Sequence, residues 1–146
     1  MASRFVFWTH GVATILERPD WATFLSHQTN VGTVVEQQAG THGWFHIPLT
    51  TLVVMENDTS LILQRVELRA VVKAQVQIDQ IDIRCGEEVV RHRDVNFRAM
   101  PVDETITLDF PMRDKRGGLA ISIHVNFQSQ GESGRVQFLG AGAYYS

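Results

Sequence analysis

Cysteine is almost missing from this chain. Cys85 is the one cysteine in 146 residues, so no internal disulfide can form, and a chain of this length can bury a sufficient core without one. No apolar run approaches the roughly 20 residues of a membrane span. The opening MASRFVFWTHG carries one positively charged side chain but lacks the apolar stretch of a signal peptide. A cytoplasmic protein without a membrane partner is therefore expected. Neither sign of charge dominates: 13 Lys and Arg stand against 16 Asp and Glu, a net charge of −3, which argues against a nucleic-acid partner held by bulk electrostatics. There is no nucleophile elbow, phosphate loop or paired-carboxylate motif, and no internal repeat, heptad or low-complexity tract. No cofactor is implied.

What the chain does have is alternation. From Val66 to Ile78 every even position is apolar (Val66, Leu68, Ala70, Val72, Ala74, Val76, Ile78), and the odd positions are polar except Val71. A period of two marks strands with one face buried and one wet. At Asp79-Gln80 the parity flips, and Ile81, Ile83 and Cys85 carry the apolar face. A bulge or tight bend must absorb that slip. Because strands run 3–10 residues, the stretch is expected to be two antiparallel strands broken somewhere in Val71–Gln77. On this parity Cys85 reads as a small buried hydrophobe.

Elsewhere Arg4–His10 and Val12–Glu17 read as a hairpin pivoting on Gly11 and ended by Pro19. Asp20–Gln28 is the one candidate helix, with Asp20 as cap and Trp21, Phe24, Leu25 and Gln28 at helical spacing. Gly32–Gln38 and Trp44–Leu52, extending to Val54, are strand candidates, and Pro48 suggests a sheet edge. Glu56–Ser60 is a turn, and its Asn57-Asp58-Thr59 is read as turn chemistry rather than a glycosylation acceptor. Glu88–Arg93 and Glu104–Phe110 follow, separated by an irregular Asp94–Asp103. Leu119–Phe127 alternates strongly, and Arg135–Tyr145 is a strand interrupted by Gly140 and Gly142. Eight to ten short strands separated by turns point to an all-β, antiparallel, jelly-roll-like sandwich of one domain, 1–146, with Asp20–Asn30 and Asp94–Asp103 crossing between sheets.

Six histidines are the notable chemistry. His42, Trp44 and His46 share a strand parity opposite Phe45, Ile47 and Leu49. If the second set faces the core, the first is a polar and aromatic stripe. An indole offers a flat apolar face, and imidazoles at its rim offer hydrogen bonds, which is what a sugar or small polar ligand needs. The plainer account is a Trp44 covered by a loop. Trp8, His10 and His124 are further candidate contacts. His42 and His46, four apart in a strand, are about 13 Å apart and cannot share one metal ion; no metal site is expected. Ser122 and His124, two apart on one face, with Asp109 or Glu104 on a neighbouring strand, form a weak hydrolase constellation. Asp79 and Asp82 are read as solvated positions rather than calcium ligands, and so are the basic clusters at Arg91-His92-Arg93 and Arg113–Arg116.

The segments Phe7-Trp8-Thr9-His10-Gly11, Gly43-Trp44-Phe45-His46-Ile47-Pro48, Leu63-Gln64-Arg65-Val66, Gly118–Ser122 and Phe138–Ala143 together resemble an uncharacterised family of small microbial single-domain β-sandwich proteins. The resemblance implies the fold and a microbial origin. It implies no activity and transfers no site residue. The leading expectation is a non-catalytic binding module for a carbohydrate or other small polar ligand, with no catalytic residue and with Trp44, His46, His42, Trp8, His10 and His124 as contacts. A self-assembling sandwich subunit, and with it a homo-oligomer, comes second. A small cyclase or hydrolase using a histidine acid–base comes third.

Overall fold

The computed structural model describes residues 5–51, 62–112 and 118–146, with backbone alone at 109–112. The alternating segments form eleven strands: β1 (Phe5–His10), β2 (Ile15–Leu16), β3 (Ala22–Gln28), β4 (Gly32–Gln37), β5 (Thr41–Leu49), β6 (Leu63–Val72), β7 (Val76–Cys85), β8 (Glu88–Arg98), β9 (Pro101–Met112), β10 (Leu119–Phe127) and β11 (Arg135–Tyr145). Two antiparallel sheets face each other as a jelly-roll-like sandwich. The first runs β3-β4-β11-β6-β9, with β1 also paired to β11; the second runs β2-β5-β10-β7-β8. No helix of the described residues is long and apolar enough to cross a membrane.

The core is the set of side chains that the period of two selects. Val66, Leu68, Ala70 and Val72 from the first sheet face Val76, Ile78, Ile81 and Ile83 from the second, all buried. The parity flip is a bulge. β7 shifts register against β8 between Ile78 and Gln80, and β10 shifts against β7 between His124 and Val125. Both Asp79 and Gln80 consequently turn outward while Ile81 returns to the core. Cys85 is half-buried and packs against the core.

Several local expectations are corrected. The break after Val72 falls where expected, but β6 and β7 lie in different sheets, so their connection crosses the sandwich and is not a hairpin. Likewise β1 and β2 separate into different sheets across a 3-10 turn at Gly11–Ala13. Asp20–Gln28 is not a helix. After a short 3-10 turn at Pro19–Trp21 it is edge strand β3, paired to β4. An edge strand that exposes both Phe24 and Leu25 has no alternation to betray it, and pairing to β4 overrides a nine-residue helix that is marginal by itself. Asp94–Asp103 is not irregular: β8 passes to β9 through Ala99-Met100, with Ala99 at φ 49°. Pro48 does sit at an open flank, because β2 pairs with β5 only at Phe45 and His46. Leu52–Val54, Asn57-Asp58-Thr59 with its expected turn, and Arg113–Arg116 lie outside the described residues.

β11 is the spine of the first sheet. One side pairs with β6, while the other pairs with β4 along Arg135–Phe138 and with β1 along Gly140–Tyr145. The changeover falls at Leu139, and there Gly11 closes against the Phe138 carbonyl so tightly that a Cβ on it would lie 1.8 Å from that oxygen. The Gly11 carbonyl in turn accepts from Thr14 Oγ1 at 2.6 Å and Thr33 Oγ1 at 2.7 Å, both hydroxyls buried.

Candidate functional site

The outer face of the second sheet carries most of the candidate residues. Register places His42, Trp44 and His46 of β5 opposite Asn126, His124 and Ser122 of β10, and these opposite Gln77, Gln80 and Asp82 of β7. β8 extends the rows with Arg98, Asp94 and His92. The face is thus a grid of amides, imidazoles and carboxylates, with one indole set in it.

The grid is hydrogen-bonded along its rows. In the row through Trp44, His124 Nδ1 donates to Asp79 Oδ1 at 2.7 Å and Asn126 Nδ2 donates to Asp79 Oδ2 at 2.8 Å. With the His124 proton so committed at Nδ1, its Nε2 accepts from His42 Nδ1 at 3.0 Å. The His124 ring lies 5.1 Å, centroid to centroid, from both Trp44 and His42. The half-buried Trp44 is therefore fixed by a ring whose own position is set by Asp79. The bulge makes this possible, since it turns Asp79 onto the outer face beside Gln80.

In the next row His46 Nε2 donates to Glu17 Oε1 at 2.7 Å, and His46 Nδ1 lies 2.7 Å from Ser122 Oγ. With Nε2 donating to the carboxylate, Nδ1 accepts the Ser122 proton. Serine, histidine and carboxylate thus connect as in a hydrolytic triad, but Ser122 is completely buried and its strand is paired on both sides. No carbonyl substrate can reach its oxygen, and the flanking backbone N–H groups belong to the sheet rather than to an oxyanion hole. The expected grouping of Ser122 and His124 with Asp109 or Glu104 is not formed. Ser122 bonds His46, His124 bonds Asp79, Glu104 belongs to the first sheet and pairs with Arg93 at 2.9 Å, and the Asp109 side chain lies outside the description.

The third partner set surrounds His92. Nδ1 lies 2.5 Å from Asp82 Oδ1 and Nε2 lies 3.0 Å from Asp94 Oδ1, so both nitrogens donate and the imidazolium is favoured. The Asp82 hydrogen bond, with help from Asp94, holds the His92 pKa above its ordinary value near 6.5 against some desolvation. A raised histidine stabilises the fold fully below its unfolded pKa, and that contribution is lost as pH rises through the folded pKa. Melting temperature should therefore fall as pH climbs upward from about 6.5, and His92→Gln should flatten that stretch of the profile. Superimposable profiles for the two proteins would remove His92 as the cause.

Asp79 and Asp82 are not solvated positions: the first bonds His124 and Asn126, and the second is almost fully buried against His92. Nor is the Arg91–Arg93 cluster uniformly solvated, since Arg93 also donates to the Thr105 carbonyl at 3.1 Å, bridging the two sheets at their edge. Among the described residues no group of three or more His, Cys, Asp or Glu is placed to hold a metal ion.

Trp8 and His10 do not join this face. They lie on β1, in the other sheet, where the Trp8 ring rests on Gly142 and meets Tyr144 edge-on at 6.3 Å. Arg69 stands 4.9 Å over that indole and Arg65 stands 4.1 Å over the Tyr144 ring. The two Trp-His segments thus lie in different sheets, Trp8 on the outer face of the first and Trp44 on the outer face of the second. Sequence reading missed Glu17, and it did not assign Asp79 or Asn126 to the site. Asn126 shares the parity of His124, but Asp79 required the bulge to be resolved.

No protein-family model matches the chain, and no curated protein matches it. Solved structures do. The xylan-binding module CBM15 aligns with a TM-score of 0.51 at 10% identity, covering 97% of this chain and 97% of that one. The CBM36-1 domain of a multidomain xylanase from the hindgut metagenome of Trinervitermes trinervoides aligns at 0.48 and 10%, covering 95% and 96%. The Tobacco streak virus coat protein aligns at 0.44 and 14%, covering 98% and 87%. The first of these likenesses defines the class of the chain as a fold: an antiparallel β-sandwich.

Proposed function

We propose that this chain is a single-domain, non-catalytic carbohydrate-binding module whose binding surface is the outer face of the second sheet. The observation that carries the reading is the fixed grid around Trp44. The indole is held by His124, and His124 and Asn126 are held by Asp79 before any ligand arrives. A sugar ring needs an apolar plane for its axial C–H face and rigid, planar hydrogen-bonding groups at its rim, and groups already fixed cost little entropy to use. Of the candidates carried over from the sequence, Trp44 is the platform and His42 the rim contact, through its Nε2. His124 and His46, each with both ring nitrogens engaged, hold the grid in place around them. Asn126 and Gln80 join them by position. The buried Ser122 disfavours the hydrolase reading. The fold shared with a module described as xylan-binding is in keeping with this assignment. A cytoplasmic location remains part of the proposal, with the lone cysteine suited to a reducing compartment.

Affinity electrophoresis through gels containing xylan, hydroxyethylcellulose, mannan or mixed-linkage glucan tests the reading directly. Retarded migration in at least one gel, with a matching saturable change in tryptophan fluorescence, is the expected result. Unchanged migration in every gel and unchanged fluorescence would overturn it.

A further inference from the structure

We propose that the edge of the sandwich formed by β1, β2 and β3 is the contact surface for a second copy of this chain, with β3 pairing antiparallel to its counterpart across a two-fold axis. β3 is the terminal strand of the first sheet: β4 pairs with one side, and no strand of the described residues pairs with the other. Its free N–H and C=O groups are a template for one more strand.

Soluble proteins usually blunt such an edge with charge. This one is left bare: no Lys, Arg, Asp or Glu occurs in Phe5–His10, Ile15–Leu16 or Ala22–Gln28. Of the nine exposed large apolar side chains among the described residues, six lie on these three strands: Phe5, Val6, Trp8, Ile15, Phe24 and Leu25. The opposite edge has the reverse character. β8 and β9 carry Glu88, Arg93, Asp94, Arg98 and Asp103 among others, and the Arg93–Glu104 ion pair at 2.9 Å joins the sheets there. One edge is built to stay in water and the other is not.

The occupant follows from the charge pattern. An edge whose own strands carry no charge, placed against its copy, brings no like charges together along those strands. Among the described residues the cations over the rings of the patch are Arg135, over Phe24 at 5.5 Å, and Arg69, over Trp8 at 4.9 Å. An isologous contact needs the same patch on both partners. The β8–β9 edge offers no such self-complementarity. β3 shifts register against β4 between Ala22 and Phe24, so the regular portion available for pairing is Phe24–Gln28. Pairing there would fuse the two first sheets into one continuous sheet. Both Trp44 faces would stay open on the second sheets, giving two binding surfaces per assembly and the avidity that follows from them.

Sedimentation velocity across about a hundredfold range of concentration is the test. The parent protein is expected to sediment as a dimer that dissociates on dilution. Leu25→Lys, which places a charge on the bare edge of both copies, should sediment as a monomer with an unchanged far-UV circular dichroism spectrum. Should that variant fail to fold, amide exchange on the parent decides: the β3 amides should gain protection with concentration while the β8 and β9 amides do not. A monomeric parent at every concentration, a Leu25→Lys protein that still dimerises, or protection gained at β8 or β9 instead would each overturn the proposal.

Discussion

Gly11→Ala should lower the melting temperature by about 10 °C, corresponding to a loss of ~3 kcal/mol or more. The cause is steric rather than conformational, since Gly11 is not among the residues with positive φ. A Cβ there would lie 1.8 Å from the Phe138 carbonyl oxygen and 2.8 Å from the Leu139 carbonyl carbon. These are backbone atoms of β11, the strand shared by β1, β4 and β6, so the obstacle cannot rotate aside as a side chain would. Relief requires moving the 3-10 turn away from β11. That movement would break the Thr14 and Thr33 hydrogen bonds to the Gly11 carbonyl, leaving the buried Thr14 hydroxyl without its acceptor and the Thr33 hydroxyl with His27 Nδ1 alone. Gly43→Ala is the matched control. It sits within β5 with Gln37 Nε2 at 4.0 Å as the nearest atom to a new Cβ, and it should change stability by less than about 1 kcal/mol, if anything upward. Thermal and urea denaturation of both variants measure this. A Gly11→Ala protein melting within about 2 °C of the parent would show that the close approach to β11 is not a constraint.

That junction also marks where sequence reading stops. Alternation is a local property, and it identified β6, β7, β10 and most of their buried faces because each side chain reports its own environment. The flip at Asp79-Gln80 was readable for the same reason. Pairing is not local. Nothing within Leu61–Cys85 distinguishes a hairpin from a crossing, because β6 and β7 each need one buried face under either arrangement. The helical spacing of Trp21, Phe24, Leu25 and Gln28 was misleading because an exposed edge strand places no demand on alternation. The candidate site divides the same way. Outward parity at His42, Trp44, His46, Ser122 and His124 was visible in the sequence. Which of them touch depends on register between strands as far apart in the chain as β5 and β10, so the His46–Ser122 and His124–Asp79 bonds were not. Trp8 and Trp44 both lie on outward faces, but of different sheets, a distinction that only the strand order makes.

The separation of the two tryptophans supplies the sharpest test of the binding surface. Trp44→Ala should weaken binding to whichever polysaccharide retards the parent by at least about tenfold, or ~1.4 kcal/mol, because stacking on a fixed indole is the type of contact that dominates small interfaces. Trp8→Ala, compared with the parent at concentrations where both are monomeric, should leave that affinity unchanged. Its indole is the more exposed of the two, at 43%, but it lies on the first sheet against Gly142 and Tyr144. Asp79→Ala refines the comparison, since Asp79 touches His124 and Asn126 but is not itself the platform. Releasing both groups, and with His124 the ring that holds Trp44, should weaken binding several-fold, less than loss of the indole, and an unchanged affinity would show that the fixed grid does not contribute. Calorimetric titration of the three variants against the same polysaccharide separates the cases. Equal losses for Trp8→Ala and Trp44→Ala would mean that the ligand does not choose between the faces. A loss confined to Trp8→Ala would move the site to the first sheet, where Arg65, Glu67 and Arg69 would become its rim.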